Sequence, residues 1–334
     1  MGAGAEFSPQ DEYMHEPTDH PQFNESAYYN FVDGDSGFAT LIRMGNRVNE
    51  GHAEVTVLLY LPGGGAAFHF ERAPIEDNSK FDAAGLRFEV IEPLQRMRVT
   101  YSGDVRVMGS GTELEDPKKV FAENPVKHLE LELEYENTIP VYGLGSSESG
   151  ESGIAGAEDS IATGHYQGPC RVSGTVNLDG DEQRISGLGF RDHSWGPRVW
   201  QGPQYWRWVS GLADEKNGFV GWVSKIGDER QPDRGMVLRD GEVSFVERAD
   251  ISSEYGPAPH YPERVELTLH TSAGSFEVSG EPVNLVPLRN RRGGEVARLG
   301  ELVFRYEFDG MPAHGISEYH DRMIDGVPAG MDEV

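Results

Sequence analysis

The residues best suited to chemistry lie side by side in the segment RDHSWG, at positions 191–196. Asp192 offers a carboxyl group, His193 an imidazole and Trp195 a large aromatic ring. Buried charged groups must be paired or hydrogen-bonded, and they gather where a protein tunes pKa values for proton transfer. The segment therefore predicts general acid–base chemistry, with Asp192 and His193 as the catalytic residues.

A concentration of tryptophan surrounds this segment. All five tryptophans of the chain lie within residues 187–222. They could fill the interior of a barrel as ordinary strand residues, or they could line a pocket for an apolar ligand. Tryptophan faces in such a pocket would stabilise a developing carbocation. The substrate-binding residues predicted on this basis, with two further donors in GHYQG and AHGISEYH, are Tyr166, Trp195, Trp200, Trp206, Trp208 and His314.

The local geometry sets a condition on the acid–base pair. Neighbouring residues of a strand point to opposite faces, so Asp192 and His193 share a pocket only where the chain bends. Gly189, Gly196 and Pro197 make such a bend plausible. In an apolar pocket a carboxyl group would keep its proton to higher pH and could act as the acid.

Other chemistries lack their sequence patterns. The 11 histidines are scattered without an HExxH motif, and no spacing requires Asp192, His193 and residues 314–320 to converge on a metal. The glycines at 63–65 are not followed by Lys-Ser/Thr, and no GxGxxG motif follows a strand. Ser194 stands outside a GxSxG motif. We predict no metal and no cofactor.

Composition restricts the partners. The net charge is −27, from 56 acidic and 29 basic residues, which disfavours nucleic acids and anionic membranes. No run of about 18 apolar residues predicts a membrane span, and the acidic N-terminus does not resemble a signal peptide. The single cysteine, Cys170, excludes an intramolecular disulfide and fits a buried, inert thiol. We expect a cytoplasmic protein, monomeric or homodimeric, whose partner is a hydrophobic small molecule.

Strand signals dominate the chain, which has 42 glycines and 20 prolines. In HLELELEYE, at 128–136, apolar and acidic residues alternate with a period of two, which is typical of a strand with one buried face. Asp179-Gly180 and Asp240-Gly241 predict tight hairpin turns. The best helix candidate is short, around residues 116–121. The fold predicted is all-β.

The segment GLGSSESGESGIAGAEDS, at 143–160, has almost no bulky residues and predicts a loop or linker. We place the domain boundary there. Residues 1–155 and 156–334 would each form a closed or sandwich-like antiparallel β-barrel. Closure would hide the open sheet edges, and a barrel of this size has room for a small ligand. The second domain would carry the DHSWG motif.

The Asp-His-x-Trp-Gly pattern at 192–196 follows a glycine-rich strand and precedes the Trp-x-Trp strand at 206–208. This arrangement resembles the carotenoid 1,2-hydratase and AttH-like proteins. Certain fungal Diels–Alderases are relatives of these proteins by fold, and the form RDHSWGPR is similar to an uncharacterised bacterial branch. The resemblance implies two lipocalin-like (calycin) β-barrel domains packed together. It also implies Asp192 as the acid that protonates an alkene, His193 as an orienting or basic group, and Trp195 as a pocket wall.

Two functions remain open on the sequence. The first is a cofactor-independent lyase or isomerase that hydrates, dehydrates, isomerises or cyclises an isoprenoid, steroid or aromatic compound. The second is a non-catalytic lipocalin-like carrier of such a compound. The Asp192–His193 pair favours the enzyme, because a carrier needs aromatic walls but no paired acid and base.

Overall fold

The computed structural model describes residues 7–144 and 162–334 and is built almost entirely of antiparallel strands. The predicted linker at 143–160 lies outside the described residues from position 145 onwards. The chain divides into two compact units, Met1–Val199 and Trp200–Val334. The all-β fold class predicted from the sequence is confirmed.

The first unit contains one sheet of 11 strands. In chain order these are β1 (Phe23–Val32), β2 (Ala39–Arg47), β3 (His52–Tyr60), β4 (Ala66–Pro74), β5 (Asp82–Ala83), β6 (Leu86–Glu92), β7 (Arg96–Met108), β8 (Val126–Asn137), β9 (Tyr142–Leu144), β10 (Gly164–Leu178) and β11 (Asp181–Pro197). The only α-helix of the described residues is α1 (Pro117–Glu123). Three 3₁₀ helices lie at Pro9–Glu12, Val48–Glu50 and Gly111–Glu115.

This sheet closes on itself. Its strands pair in the order β4-β3-β2-β1-β11-β10-β8-β7, and β7 pairs with β4 to complete a ring of eight. With β5, β6 and β9 set aside, strands adjacent in this ring are successive in the chain, and the first strand, β1, pairs with the last, β11. This is the up-and-down order of lipocalin barrels. The core fills the interior with alternate residues of each strand, such as Ala27, Tyr29 and Phe31 of β1.

The second unit repeats this architecture with 10 strands. They are β12 (Pro203–Asp214), β13 (Asn217–Ile226), β14 (Glu229–Arg230), β15 (Arg234–Arg239), β16 (Glu242–Tyr255), β17 (Pro262–Thr271), β18 (Gly274–Arg292), β19 (Glu295–Phe308), β20 (Met311–Ile324) and β21 (Val327–Pro328). The ring runs from β12 through β13 and β15–β20, and β20 pairs with β12. Its own core includes Val209, Phe219, Leu269 and Phe304.

Local sequence signals explain individual elements. In β8 the leucines at 129, 131 and 133 are buried while the glutamates at 130 and 132 are exposed, as the alternation predicts. Asp240 and Gly241 adopt φ angles of 52° and 87°, the left-handed conformation that a two-residue hairpin turn requires. Helix α1 begins after Asp116, whose side chain accepts a hydrogen bond from the Lys119 amide at 3.2 Å.

The division between the units differs from the predicted one. The boundary expected after residue 155 lies outside the described residues, and the chain divides instead after Val199. The physical reason is that β10 and β11 complete the first ring by joining β8 to β1. The DHSWG motif therefore belongs to the first unit and not to the second.

No helix among residues 7–144 and 162–334 has both the length and the apolar character needed to cross a membrane.

Candidate functional site

The first unit encloses a cavity of about 500 Å³, within the size range of small-molecule sites. Apolar side chains supply much of its wall, including Met14, Phe81, Phe88 and Met97. Three of its polar side chains are buried, namely Glu12, Tyr29 and His193. More exposed charged side chains also line it: Lys80, Asp82, Arg87 and Glu89. The cavity therefore combines an apolar surface with three buried groups that can exchange protons or form hydrogen bonds.

Strand β11 decides which residues of the predicted motif reach this cavity. His193 pairs with Ala27 of β1 and Tyr166 of β10, so it shares the inward face with the core residues of β1. Asp192 lies on the other face, and its carboxylate is 3.7 Å from His165 Nε2. The chain does not bend between the two residues, which stay in one continuous strand. The pocket thus receives the predicted base without the predicted acid.

Glu25 of β1 takes the place beside His193 that the sequence suggested for Asp192. Its Oε1 lies 2.9 Å from His193 Nε2 and 2.7 Å from His15 Nδ1. The His15 amide and the Asn78 side-chain amide also donate to this carboxylate. Burial alone would raise the pKa of Glu25, but the hydrogen bonds from the two histidines outweigh it and lower the pKa to about 2. Glu25 is therefore an ionised acceptor at neutral pH.

A second buried carboxylate, Glu12, lies on the opposite side of His193. Arg191 binds it through both terminal nitrogens, at 2.8 and 3.0 Å. The Tyr166 hydroxyl donates to Glu12 Oε1 at 2.8 Å and lies 3.3 Å from His193 Nδ1. Burial opposes ionisation of Glu12, but the charge of Arg191 outweighs it and lowers the pKa of Glu12. Burial, followed by the charge of Glu12, raises the pKa of Tyr166 well above its ordinary value, so Tyr166 remains a neutral donor.

These contacts give His193 an acceptor at each ring nitrogen. The carboxylate of Glu25 accepts at Nε2, and the oxygen of Tyr166, whose hydrogen goes to Glu12, accepts at Nδ1. Each ring nitrogen of His193 can therefore donate a hydrogen bond to a protein oxygen.

The same cluster holds the ligand types of a metal site. Donor atoms of His15, Glu25 and His193 lie within 4.8 Å of one another. Two imidazoles and one carboxylate are the protein ligands of several catalytic zinc centres. These residues are of the types that bind a divalent ion. They differ from the metal ligands considered from the sequence, and only His193 belongs to both sets.

Trp195 and Tyr166 support the site from outside the cavity wall. The Trp195 ring stacks on His15 at 3.7 Å between centroids, with 11° between the planes. Tyr166 packs edge-on against His193 at 5.5 Å. Neither of them is among the described residues that line the cavity. The structure thus brings both predicted residues to the polar cluster, where they contact its histidines.

The remaining predicted residues belong to the second unit, where Trp200 and Trp206 stack with His320. Trp206 lies 3.8 Å from the ring of His320, which is in turn 6.4 Å from Trp200. Trp208 is buried in β12 opposite Trp222. His314 of β20 is half-buried, and burial, with the charge of Arg305, lowers its pKa. The cavity described above is lined by residues of the first unit alone.

Several site residues carried little or no signal in the sequence. Glu25 stands in FNESAYYNFV, two residues before Ala27 and four before Tyr29, so the period of two places it on the inward face. An acidic residue on the inward face of a strand could therefore have been recognised in the sequence as a candidate site residue. Glu12 and His15 lie in an irregular acidic segment whose pattern indicates no particular position.

Three solved structures are similar to this chain in architecture. An AttH protein of Nitrosomonas europaea, provisionally described as such, matches with a TM-score of 0.59 and 16% identity, over 95% of this chain and 97% of that one. CghA with Sch210972 matches with a TM-score of 0.57 and 12% identity, over 97% and 96%. Kievitone hydratase from Nectria haematococca matches with a TM-score of 0.54 and 9% identity, over 93% of each chain. At these identities the likeness establishes the fold and leaves the chemistry open.

A family model described as a domain of unknown function, DUF7064, matches residues 8–323. No curated protein matches the chain.

Proposed function

The chain belongs to the DUF7064 family, and we propose that it is an enzyme that performs acid–base chemistry on a hydrophobic small molecule in the cavity of the first unit. The reaction class is hydration, dehydration, isomerisation or cyclisation. One fold neighbour bears the name hydratase, which agrees with this class. Isoprenoid, steroid and aromatic compounds are the substrate types that suit the apolar wall.

One observation carries the proposal. His193 reaches an apolar cavity while an ionised carboxylate, Glu25, holds its Nε2 and a neutral phenol, Tyr166, contacts its Nδ1. A carrier of apolar ligands would need the cavity and its walls. It would not need a buried imidazole oriented by a carboxylate. Burying such a cluster costs desolvation free energy and adds no apolar contact with the ligand.

The hydrogen bonds suggest the path of the proton. Glu25 fixes Nε2, and Nδ1 faces the Tyr166 oxygen at the longer distance of 3.3 Å, so the proton on Nδ1 becomes available for transfer once this weaker contact opens. In hydration this proton would form a new C–H bond with one alkene carbon. Water would then add its oxygen to the other carbon and return a proton to Nδ1. Dehydration is the reverse of these steps.

Turnover by variants tests the role of His193. The intact protein is incubated with a library of apolar alkenes, enones and alcohols, and products are detected by mass spectrometry as the gain or loss of one water or as isomers. We expect His193→Gln to reduce turnover about 10²- to 10⁴-fold, the usual contribution of general acid–base catalysis. The melting temperature and ligand binding of the variant serve as controls for folding.

Asp192→Asn is the matched comparison, since it changes the adjacent residue on the other face of β11. We expect it to retain turnover. Loss of turnover in a folded Asp192→Asn protein, with His193→Gln still active, would assign the acid to Asp192 as the sequence predicted. Binding without turnover by the wild type would favour the carrier. Turnover that a chelator abolishes and Zn²⁺ restores would assign His15, Glu25 and His193 to a metal.

A further inference from the structure

The hydroxyl group of Tyr29 accepts a hydrogen bond from the protein but donates none to the described residues. Arg191 Nη1 donates to its oxygen at 3.2 Å, while the same guanidinium binds Glu12 through both terminal nitrogens. The hydroxyl oxygen therefore acts as an acceptor. Among residues 7–144 and 162–334, none accepts a hydrogen bond from this hydroxyl.

This unused donor is buried and borders the cavity. Tyr29 is 1% exposed and lines the cavity. Its ring is held by Phe88 and Tyr135, each 4.9 Å away between centroids. A buried donor without a partner costs free energy, so such groups are found where a water or a ligand completes them. Because the ring is packed on two sides, the hydroxyl keeps one position.

The charged groups near the Tyr29 hydroxyl indicate which type of ligand atom would accept its hydrogen bond. Burial raises the pKa of Tyr29, although the charge of Arg191 opposes this, so the group is a neutral O–H. The carboxylate of Glu12 shares Arg191 Nη1 with the Tyr29 hydroxyl and would repel an anionic ligand atom there. The other charged residues of the lining are two cations and two anions, Lys80, Arg87, Asp82 and Glu89. Arg191, fixed behind the hydroxyl, polarises it and disfavours a cationic ligand. A neutral oxygen with free lone pairs and partial negative charge fits both conditions.

We propose that Tyr29 donates a hydrogen bond to a carbonyl oxygen of the ligand, so that the substrates are apolar ketones or enones. The inference rests on the proposed function, whose substrate class it specifies. Arg191 supports Tyr29 electrostatically, so the pair stabilises negative charge that develops on the carbonyl oxygen during proton transfer at a neighbouring carbon. Tyr29 then contacts the substrate, and Arg191 positions it.

Two probes of equal shape test the assignment on the full-length protein. They are 2-acetylnaphthalene, which carries a carbonyl group, and 2-isopropenylnaphthalene, in which a methylene group replaces the oxygen. A single hydrogen bond predicts that the wild type binds the ketone about 3- to 10-fold more tightly than the hydrocarbon. The infrared C=O stretch of the bound ketone should shift to lower frequency than in an alkane solvent.

Tyr29→Phe should bind both probes equally and remove the infrared shift. Tyr28→Phe is the matched control, because Tyr28 lies next in β1 with its side chain on the other face, and it should keep the preference. If Tyr29→Phe retains the preference, or the wild type shows none, the assignment is overturned. If the variant does not fold, the wild-type infrared spectrum decides, and an unshifted stretch overturns the assignment.

These outcomes are separable from those of the proposed function. Loss of turnover in His193→Gln with an unchanged probe preference supports both roles. A wild type that prefers the ketone but turns over no library compound keeps the role of Tyr29 in binding and removes the catalytic one of His193.

Discussion

Glu25 orients both histidines of the site, since one carboxylate oxygen accepts from His15 and His193. Its side chain is fully buried, so its charge is stable only because donors surround it. The identity of this residue thus matters more to the site than that of Asp192, which lies on the other face of β11. A carboxylate held in this way makes folding depend on pH.

The pKa of Glu25 falls from 4.5 to about 2 on folding, so its ionised form favours the folded state. This stabilisation is fully present above the unfolded-state pKa and is lost as pH falls through the folded-state pKa. The shift corresponds to about 3 kcal/mol. The free energy of unfolding, measured with urea, should decrease between pH 5 and pH 2. We expect this decrease to be about 3 kcal/mol smaller in Glu25→Gln than in the wild type. Glu76→Gln, at an exposed carboxylate, should follow the wild-type curve.

The hairpin of β10 and β11 is the element that assembles the site. Its register sets Tyr166 opposite His193 and Gly164 opposite Trp195. A side chain at position 164 would collide with the Trp195 ring, so this glycine is needed for a close approach. The packing of Trp195 against His15 therefore depends on the absence of a side chain in the neighbouring strand.

Gly164→Ala should displace Trp195 and loosen the stacked His15. We expect a loss of about 1–3 kcal/mol in the free energy of unfolding, the usual cost of overpacking a buried site, together with a change in tryptophan emission. Gly109→Ala is the control, because a Cβ there would meet its nearest atom, Glu113 Oε1, at 3.4 Å. Equal stability of the two variants would contradict the role given to Gly164.

At the scale of the molecule, two closed rings of eight strands follow one another in the chain, and each has its own core. Ring closure removes the open edges at which strands would otherwise pair with other chains. The first ring is complete only with β10 and β11, which follow residues 145–161 in the chain.

A pair of fragments tests this division. Residues 1–199 contain every strand of the first ring, so we expect this fragment to fold, with a strand-dominated circular dichroism spectrum and retained probe binding. Residues 1–155 lack β10 and β11, which leaves β1 and β8 each with an unpaired edge. This shorter fragment should aggregate. A stable, monomeric 1–155 fragment would restore the boundary predicted from the sequence.

The sequence alone was sufficient for features that depend on neighbouring residues. The alternation in β8, the Asp240-Gly241 turn and the short helix near residues 116–121 follow from local backbone preferences. The strand and turn signals together predicted the all-β class that the structure confirms. The importance of the 191–196 segment was also predictable, because its residue types are rare in a strand interior. The catalytic role of His193 stays a prediction.

Only the tertiary structure decided which partners surround His193. The orientation of Asp192 followed from the unbroken strand, whereas a bend at the glycines had been equally compatible with the sequence. Glu12 and Glu25 are separated from Arg191 and His193 by more than 150 residues of chain and meet them only when the ring closes. Local patterns record which face a residue occupies. They do not record which distant side chain shares that face, because strand order and register are set by the packing of the whole core.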